Sequence, residues 1–215
     1  MTVLLADPVI AALPVVDSGE ALVPVPADTA GPDGDRPLVR SGVAARLAVA
    51  QLLLPPGRRL RVVEGHRRPE DQRAIWQRYS GEVEHTHPGA RPEELRRLTS
   101  RFVAPIEVAP HVAGAAVDVT LVDRLGRAVD LGTPIDATPE QSRGACFSDA
   151  VVDPAASEER RLLTLAMTGA GFVNYPTEWW HWSHGDRYWA WSVRAAAAVY
   201  GPIEVPETSF AQAGR

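Results

Sequence analysis

The run from Ala115 to Val122 constrains this chain more than any other segment. Val117, Val119 and Leu121 alternate with Ala116, Asp118 and Thr120, the period of a β-strand. One of these residues is an acid. A carboxylate in a strand otherwise built of Val, Thr and Leu is costly unless it is partnered. The fold must therefore bring Asp118 either a cation or one of the chain's many arginines, and the residues alone leave both open. Upstream stands His111, and the small residues Ala113-Gly114-Ala115-Ala116 let the backbone turn back so that both side chains reach one point.

Composition narrows the function classes. The chain has 215 residues, 45% hydrophobic and 23% charged, which suits a globular protein with a full core and excludes wholesale disorder. One domain over 1–215 is expected, with residues 1–40 as an extended arm and 203–215 as a loosely ordered tail. A net charge of −5 gives no basic footprint for nucleic acid. All 22 basic residues are Arg. Without a lysine amine there is no Walker-type phosphate loop, Schiff-base enzyme or Ser/Lys hydrolase. Cys146 is the only cysteine, so neither an intrachain disulfide nor a thiolate metal cage exists. It is expected as a small buried residue. Met1 to Leu13 lacks the basic start of an export signal, and no apolar run approaches the ~20 residues of a membrane span. A soluble cytoplasmic protein is expected.

Helix and strand signals are mixed without regular alternation, which predicts an α+β fold rather than a doubly wound sheet. Ser41 is placed to cap a helix running to about Leu54, with Val43, Leu47, Ala50 and Leu54 on one face. Arg59 to Gly65 reads as a strand. Pro69 opens a helix to about Tyr79, and Pro92 another toward Phe102. Residues 124–156 read as loop. Ser157 starts a further helix ending near Gly169 to Gly171. Phe172 to Tyr175 and Glu178 to Ser183 read as strands, and Arg187 to Tyr200 as a last strand or helix.

The candidate chemistry lies in the histidines. There is no HExxH pair and no GxSxG elbow. His111, Asp118 and His181 would make a good trio for Zn²⁺, leaving a fourth position open. Glu178 lies three residues before His181, and an ideal strand sends the two to opposite faces, so they converge only if the strand ends, bulges or twists between them. His85 and His87 form a rival HxH pair. His184 is expected beside the ligands or at the surface.

Three short motifs, in order, carry a resemblance. His111-Val112-Ala113-Gly114-Ala115-Ala116-Val117-Asp118 resembles the H-x-x-G-x-A-x-D motif of the D-alanyl-D-alanine metallopeptidases, family M15. Glu178-Trp179-Trp180-His181 resembles their E-x-W-H, and Gly65-His66-Arg67 their G-Y-R, with His66 at the tyrosine position. Leu131-Gly132-Thr133-Pro134-Ile135-Asp136 and the block from Arg160 to Trp189 are similar to the VanX-type dipeptidase branch.

The resemblance implies a small central antiparallel sheet flanked by helices, as in the D,D-peptidases and the Hedgehog signalling domain. It implies one Zn²⁺ per chain on His111, Asp118 and His181, Glu178 as general base, and Arg67 facing the developing oxyanion. Asp136 is implied to hold the free amino group of a dipeptide substrate. The implied activity is hydrolysis of D-Ala-D-Ala or similar D,D-dipeptides. A D,D-carboxypeptidase or endopeptidase acting on cell-wall peptides and a non-catalytic zinc module are the alternatives. The expected partner is a small dipeptide, with neither nucleic acid nor membrane, and a homo-oligomer is left open. Two positions depart from the family pattern: Ala109 stands where a serine is common, and Arg143 where a histidine is.

Overall fold

The alternating run becomes a strand buried on both faces in the computed structural model, which describes residues 2–31 and 34–203. The elements run in the order α1 (Pro8–Ala11), β1 (Leu22–Pro24), β2 (Leu38–Arg40), α2 (Ser41–Leu53), β3 (Arg59–Glu64) and α3 (Pro69–Thr86). Then come α4 (Pro92–Thr99), β4 (Ala116–Val122), α5 (Pro154–Gly169), β5 (Val173–Asn174), β6 (His181–Ser183) and α6 (Arg187–Val193). The main sheet has the order β3-β4-β6-β5, and each neighbouring pair is antiparallel. The fold is α+β, as the mixed signals predict. No helix among the described residues is long and apolar enough to cross a membrane.

One face of β4 builds the core. Val117, Val119 and Leu121 pack with Leu60 and Val62 of β3, with Val43, Leu47 and Ala50 of α2, and with Leu163, Ala166 and Met167 of α5. Cutting a side chain such as Leu47 back to Ala in a core of this kind costs about 2–5 kcal/mol. The other face of β4 carries Asp118. Cys146 is fully buried in the same core, as expected.

Several boundaries differ from the sequence reading, each for a local reason. Ser41 is the first residue of α2 rather than its cap. The cap comes from a distant residue: Glu20 Oε2 accepts from the Gly42 N–H at 2.6 Å, from the Ser41 hydroxyl at 3.0 Å and from the Tyr200 hydroxyl at 2.9 Å. Gly42 suits this approach, because a Cβ there would lie 2.5 Å from the Tyr200 hydroxyl and 2.8 Å from Glu20. Helix α3 continues past Tyr79 to Thr86. Helix α5 starts at Pro154, with Asp153 accepting from the Ala155 N–H at 2.9 Å, so Asp153 and not Ser157 is its cap. The first 40 residues hold the one-turn helix α1 as well as short strands. Of the expected tail only Ile203 is described, its N–H donating to the Val112 carbonyl at 3.0 Å; 204–215 lie outside the described residues.

The buried Arg40 guanidinium ties these parts together. It donates to the carbonyls of Glu20 at 2.6 Å, Ala113 at 2.9 Å and Gly201 at 2.9 Å, and to Asp17 Oδ2 at 2.8 Å.

Glu20→Ala is expected to lower stability by about 1 kcal/mol, the usual scale for a lost N-terminal cap. Burial works against the Glu20 charge, but hydrogen bonds from Gly42, Tyr200 and Ser41 outweigh it and hold the pKa below the ordinary carboxylate value. A carboxylate with a depressed folded pKa stabilises fully above its unfolded pKa and loses that contribution as pH falls through the folded value. Urea unfolding of both proteins at neutral and acidic pH checks this: the gap should be widest at neutral pH and narrow in acid. An equal gap throughout would show that the Glu20 charge contributes nothing.

Candidate functional site

His111 opens a short 3-10 turn, His111–Ala113, that ends at Gly114 with a left-handed φ of 64°. A side chain at Gly114 would be strained, and its Cβ would lie 2.5 Å from Leu22 Cδ2. The chain reverses there and enters β4. Asp118 follows in that strand, directly opposite His181 at the start of β6. Residues opposite one another on antiparallel strands project to the same face. Strand pairing alone thus brings an aspartate and a histidine together across 63 residues of sequence.

The three donor atoms lie close together. His181 Nδ1 is 3.1 Å from Asp118 Oδ1, His111 Nε2 is 3.1 Å from His181 Nδ1, and His111 Nε2 is 3.4 Å from Asp118 Oδ1. A tetrahedral site with bonds of ~2.0–2.2 Å has donor-to-donor edges of roughly 3.3–3.6 Å. The triangle is within a few tenths of an ångström of that size. His111 Nδ1 donates to the Gly65 carbonyl at 2.7 Å, which fixes the tautomer and leaves the Nε2 lone pair facing the other donors. All three residues are buried, and they form the one such metal-competent cluster among the described residues.

The electrostatics agree. Burial opposes the Asp118 charge, but His111 and His181 outweigh it and hold the carboxyl well below the ordinary range. Burial also opposes a charge on His111, yet Asp118 raises its pKa overall. At His181 burial wins and the pKa falls. Among the described residues no arginine pairs with Asp118 within ion-pair distance, so of the two partners left open by the sequence the structure favours a cation. Two polar atoms beside the cluster, Glu178 Oε1 and His181 Nε2, are buried without a hydrogen-bond partner among the described residues.

The parity conflict between Glu178 and His181 is resolved by where the strand begins. Strand β6 starts at His181, and the residues before it form a turn in which the His181 N–H donates to the Glu178 carbonyl at 3.2 Å. The Asn174 side-chain amide donates to both carbonyls, at 3.0 and 2.9 Å, and fixes that turn. Glu178 Oε2 is then 3.8 Å from His181 Nδ1. Burial, then repulsion from Asp118 and Asp136, pushes the Glu178 carboxyl well above its ordinary value; Arg67 opposes this.

Arg67 follows β3, and its backbone N–H donates to the His111 carbonyl at 3.2 Å. Its Nε and Nη2 donate to Glu64 at 2.7 and 2.5 Å, and Nη1 donates to Gln72 at 2.8 Å. These bonds use three of the five guanidinium N–H groups and leave two. Asp136 lies on the loop before α5 with a left-handed φ of 64°. It shares with Arg67, Glu178 and the three donors a cavity of about 370 Å³. Partial burial and the charges of Asp118 and Glu64 raise its pKa.

Other expected positions fall elsewhere. His87 Nδ1 sits 3.1 Å from the Val83 carbonyl at the end of α3, outside any metal-competent cluster. His184 is neither exposed nor one of the donors: its Nδ1 contacts the Gly171 carbonyl at 2.8 Å and its ring packs on Trp189. His66 Nε2 lies 3.0 Å from the Ile203 carbonyl. Ala109 lines the cavity with a methyl group, and Arg143 is exposed away from it. Glu64 at the end of β3 and Gln72 on α3, which hold Arg67, were not visible as site residues in the sequence; a polar residue facing a cavity looks the same as one facing water until the packing is known.

Comparisons with known proteins give the family. The family model for peptidase M15, described as D-Ala-D-Ala dipeptidase, matches residues 26–197. A D-alanyl-D-alanine dipeptidase of Synechocystis sp. is 30% identical, covering 90% of this chain and 96% of its own. One from Escherichia coli is 32% identical over 66% of this chain and 61% of its own. A crystal structure of a mutant of the vancomycin resistance D,D-pentapeptidase VanY with Zn(II) aligns over 81% of this chain and 88% of its own, at 19% identity and a TM-score of 0.37. The chain is thus a metallopeptidase, and it belongs to the D-Ala-D-Ala dipeptidase family of M15 peptidases.

Proposed function

We propose that this chain is a zinc-dependent dipeptidase that hydrolyses D-Ala-D-Ala, or a similar D,D-dipeptide with a free amino terminus. The observation that carries this reading is a single cavity lined at once by the His111, Asp118 and His181 donors, by Glu178, by Arg67 and by Asp136. The relatives named as D-alanyl-D-alanine dipeptidases support the choice of substrate.

The donor set of two imidazoles and a carboxylate suits Zn²⁺, which would supply Lewis acidity to polarise the scissile carbonyl and acidify water. Glu178 takes a proton from the attacking water and delivers it to the leaving amine. A base must be ionised. A cation held by the three donors would oppose the burial and repulsion that raise the Glu178 pKa and would favour its carboxylate form. Arg67, with two N–H groups left over and its orientation set by Glu64 and Gln72, donates to the oxygen on which negative charge develops. Asp136 at the cavity wall pairs with the substrate ammonium, which selects short peptides with a free N-terminus.

Two outcomes are expected. His111→Ala, purified and analysed for metal, should hold far less than one zinc per chain; full occupancy would remove His111 from the donor set. Glu178→Gln should keep its zinc while turnover of D-Ala-D-Ala drops by about 10²–10⁴-fold, the range for a lost general base. Wild-type turnover in that variant would exclude the role. The substrate assignment is checked by offering the enzyme D-Ala-D-Ala, L-Ala-L-Ala and N-acetyl-D-Ala-D-Ala, each with and without chelator. Release of amino acid is expected from the first, abolished by the chelator. Cleavage of the acetylated peptide at a similar rate would instead indicate a carboxypeptidase.

A further inference from the structure

Arg160 on α5 is a buried cation, 6% exposed, with no carboxylate at ion-pair distance among the described residues. Its guanidinium is spent on three backbone carbonyls. Nε donates to Leu131 at 2.6 Å, Nη2 to Ala145 at 2.8 Å and Nη1 to Phe147 at 2.9 Å. Leu131 is where the chain enters the loop that carries Asp136, and Ala145 and Phe147 are where it leaves. One planar fork therefore closes the loop at its base, a geometry that a single ammonium does not reproduce.

The same guanidinium lies over the indole of Trp179, 5.5 Å from the ring centroid. Trp179 is the residue after Glu178. It also holds the loop directly: its indole N–H donates to Thr133 Oγ1 at 2.8 Å, and its backbone N–H to the Cys146 carbonyl at 3.0 Å. The loop carrying Asp136 and the turn carrying Glu178 thus meet on one side chain. A buried charge without a counter-ion is a poor way to gain stability compared with an apolar side chain. What it does supply here is fixed distance between two parts of the site.

We propose that Arg160 is a positioning residue: by closing the 131–147 loop and bracing Trp179, it sets Asp136 at the right reach from Glu178 for a dipeptide whose ammonium and scissile bond must both be engaged. This rests on the dipeptidase reading and on Asp136 as the ammonium partner. It assigns Arg160 no contact with substrate.

The test is a double-mutant cycle on D-Ala-D-Ala, with Arg160→Lys and Asp136→Asn alone and combined. Arg160→Lys should raise KM about tenfold with a smaller change in kcat, the pattern of a misplaced binding group. In the Asp136→Asn background the same change should cost less than about twofold, because the group that Arg160 positions is already disabled. Thr133→Val, a milder cut of the same brace, should behave likewise with a smaller KM effect and stands in if Arg160→Lys does not fold. Equal losses in both backgrounds, for either variant, would overturn the proposal. Hydrogen exchange separates this failure from that of the dipeptidase reading, since it needs no substrate. Backbone amides of 131–147 should exchange faster in Arg160→Lys while those of the central sheet keep wild-type protection. Unchanged loop protection would also overturn it, whatever the enzyme cleaves.

Discussion

The site depends first on a strand register. Asp118 pairs with His181 on one side and with Glu64 on the other, so three polar residues that line the cavity form a row across β3, β4 and β6. Because side chains alternate strictly along a strand, a slip of one residue would turn Asp118 into the core and lift Val117 or Val119 into the cavity. The apolar face of β4 makes that slip costly. The core that packs against Val117, Val119 and Leu121 is therefore also what aims the carboxylate.

Around that row the protein concentrates negative charge. Asp118, Glu178, Asp136, Glu64 and Glu82 all line one cavity, against the two arginines Arg67 and Arg78, and Arg67 is already shared with Glu64. The consequence appears in the carboxyl groups themselves: Glu178 and Asp136 are pushed upward by burial and by their like-charged neighbours. Such a cavity is matched to positive charge from outside the chain. A divalent ion at the histidines and an ammonium at Asp136 would each relieve part of it.

Much of this was legible in the sequence because it is local. The apolar stripe of α2, the alternation of β4 and the spacing from His111 to Asp118 each depend on a few neighbouring residues. The resemblance of short motifs to M15 peptidases supplied the pairing of Arg67 and Glu178 with them. What was not legible is set by contacts between distant segments. Ser41 looks like a cap, but Glu20 does the capping from across the fold. Glu178 and His181 look incompatible on a single strand, and only the Asn174 side chain, bonding back to both carbonyls, shows that the strand has not yet begun. Gln72 and Arg160 look like ordinary helix-surface residues, and both are buried.

Arg40 has a further consequence. Its guanidinium holds the carbonyl of Ala113, two residues beyond His111, together with groups at Asp17, Glu20 and Gly201. Segments near both ends of the sequence are thereby knotted to the turn that presents His111. Trimming either end back past those residues would not simply remove periphery. It would slacken the knot that sets the turn of His111 against Asp118 and His181.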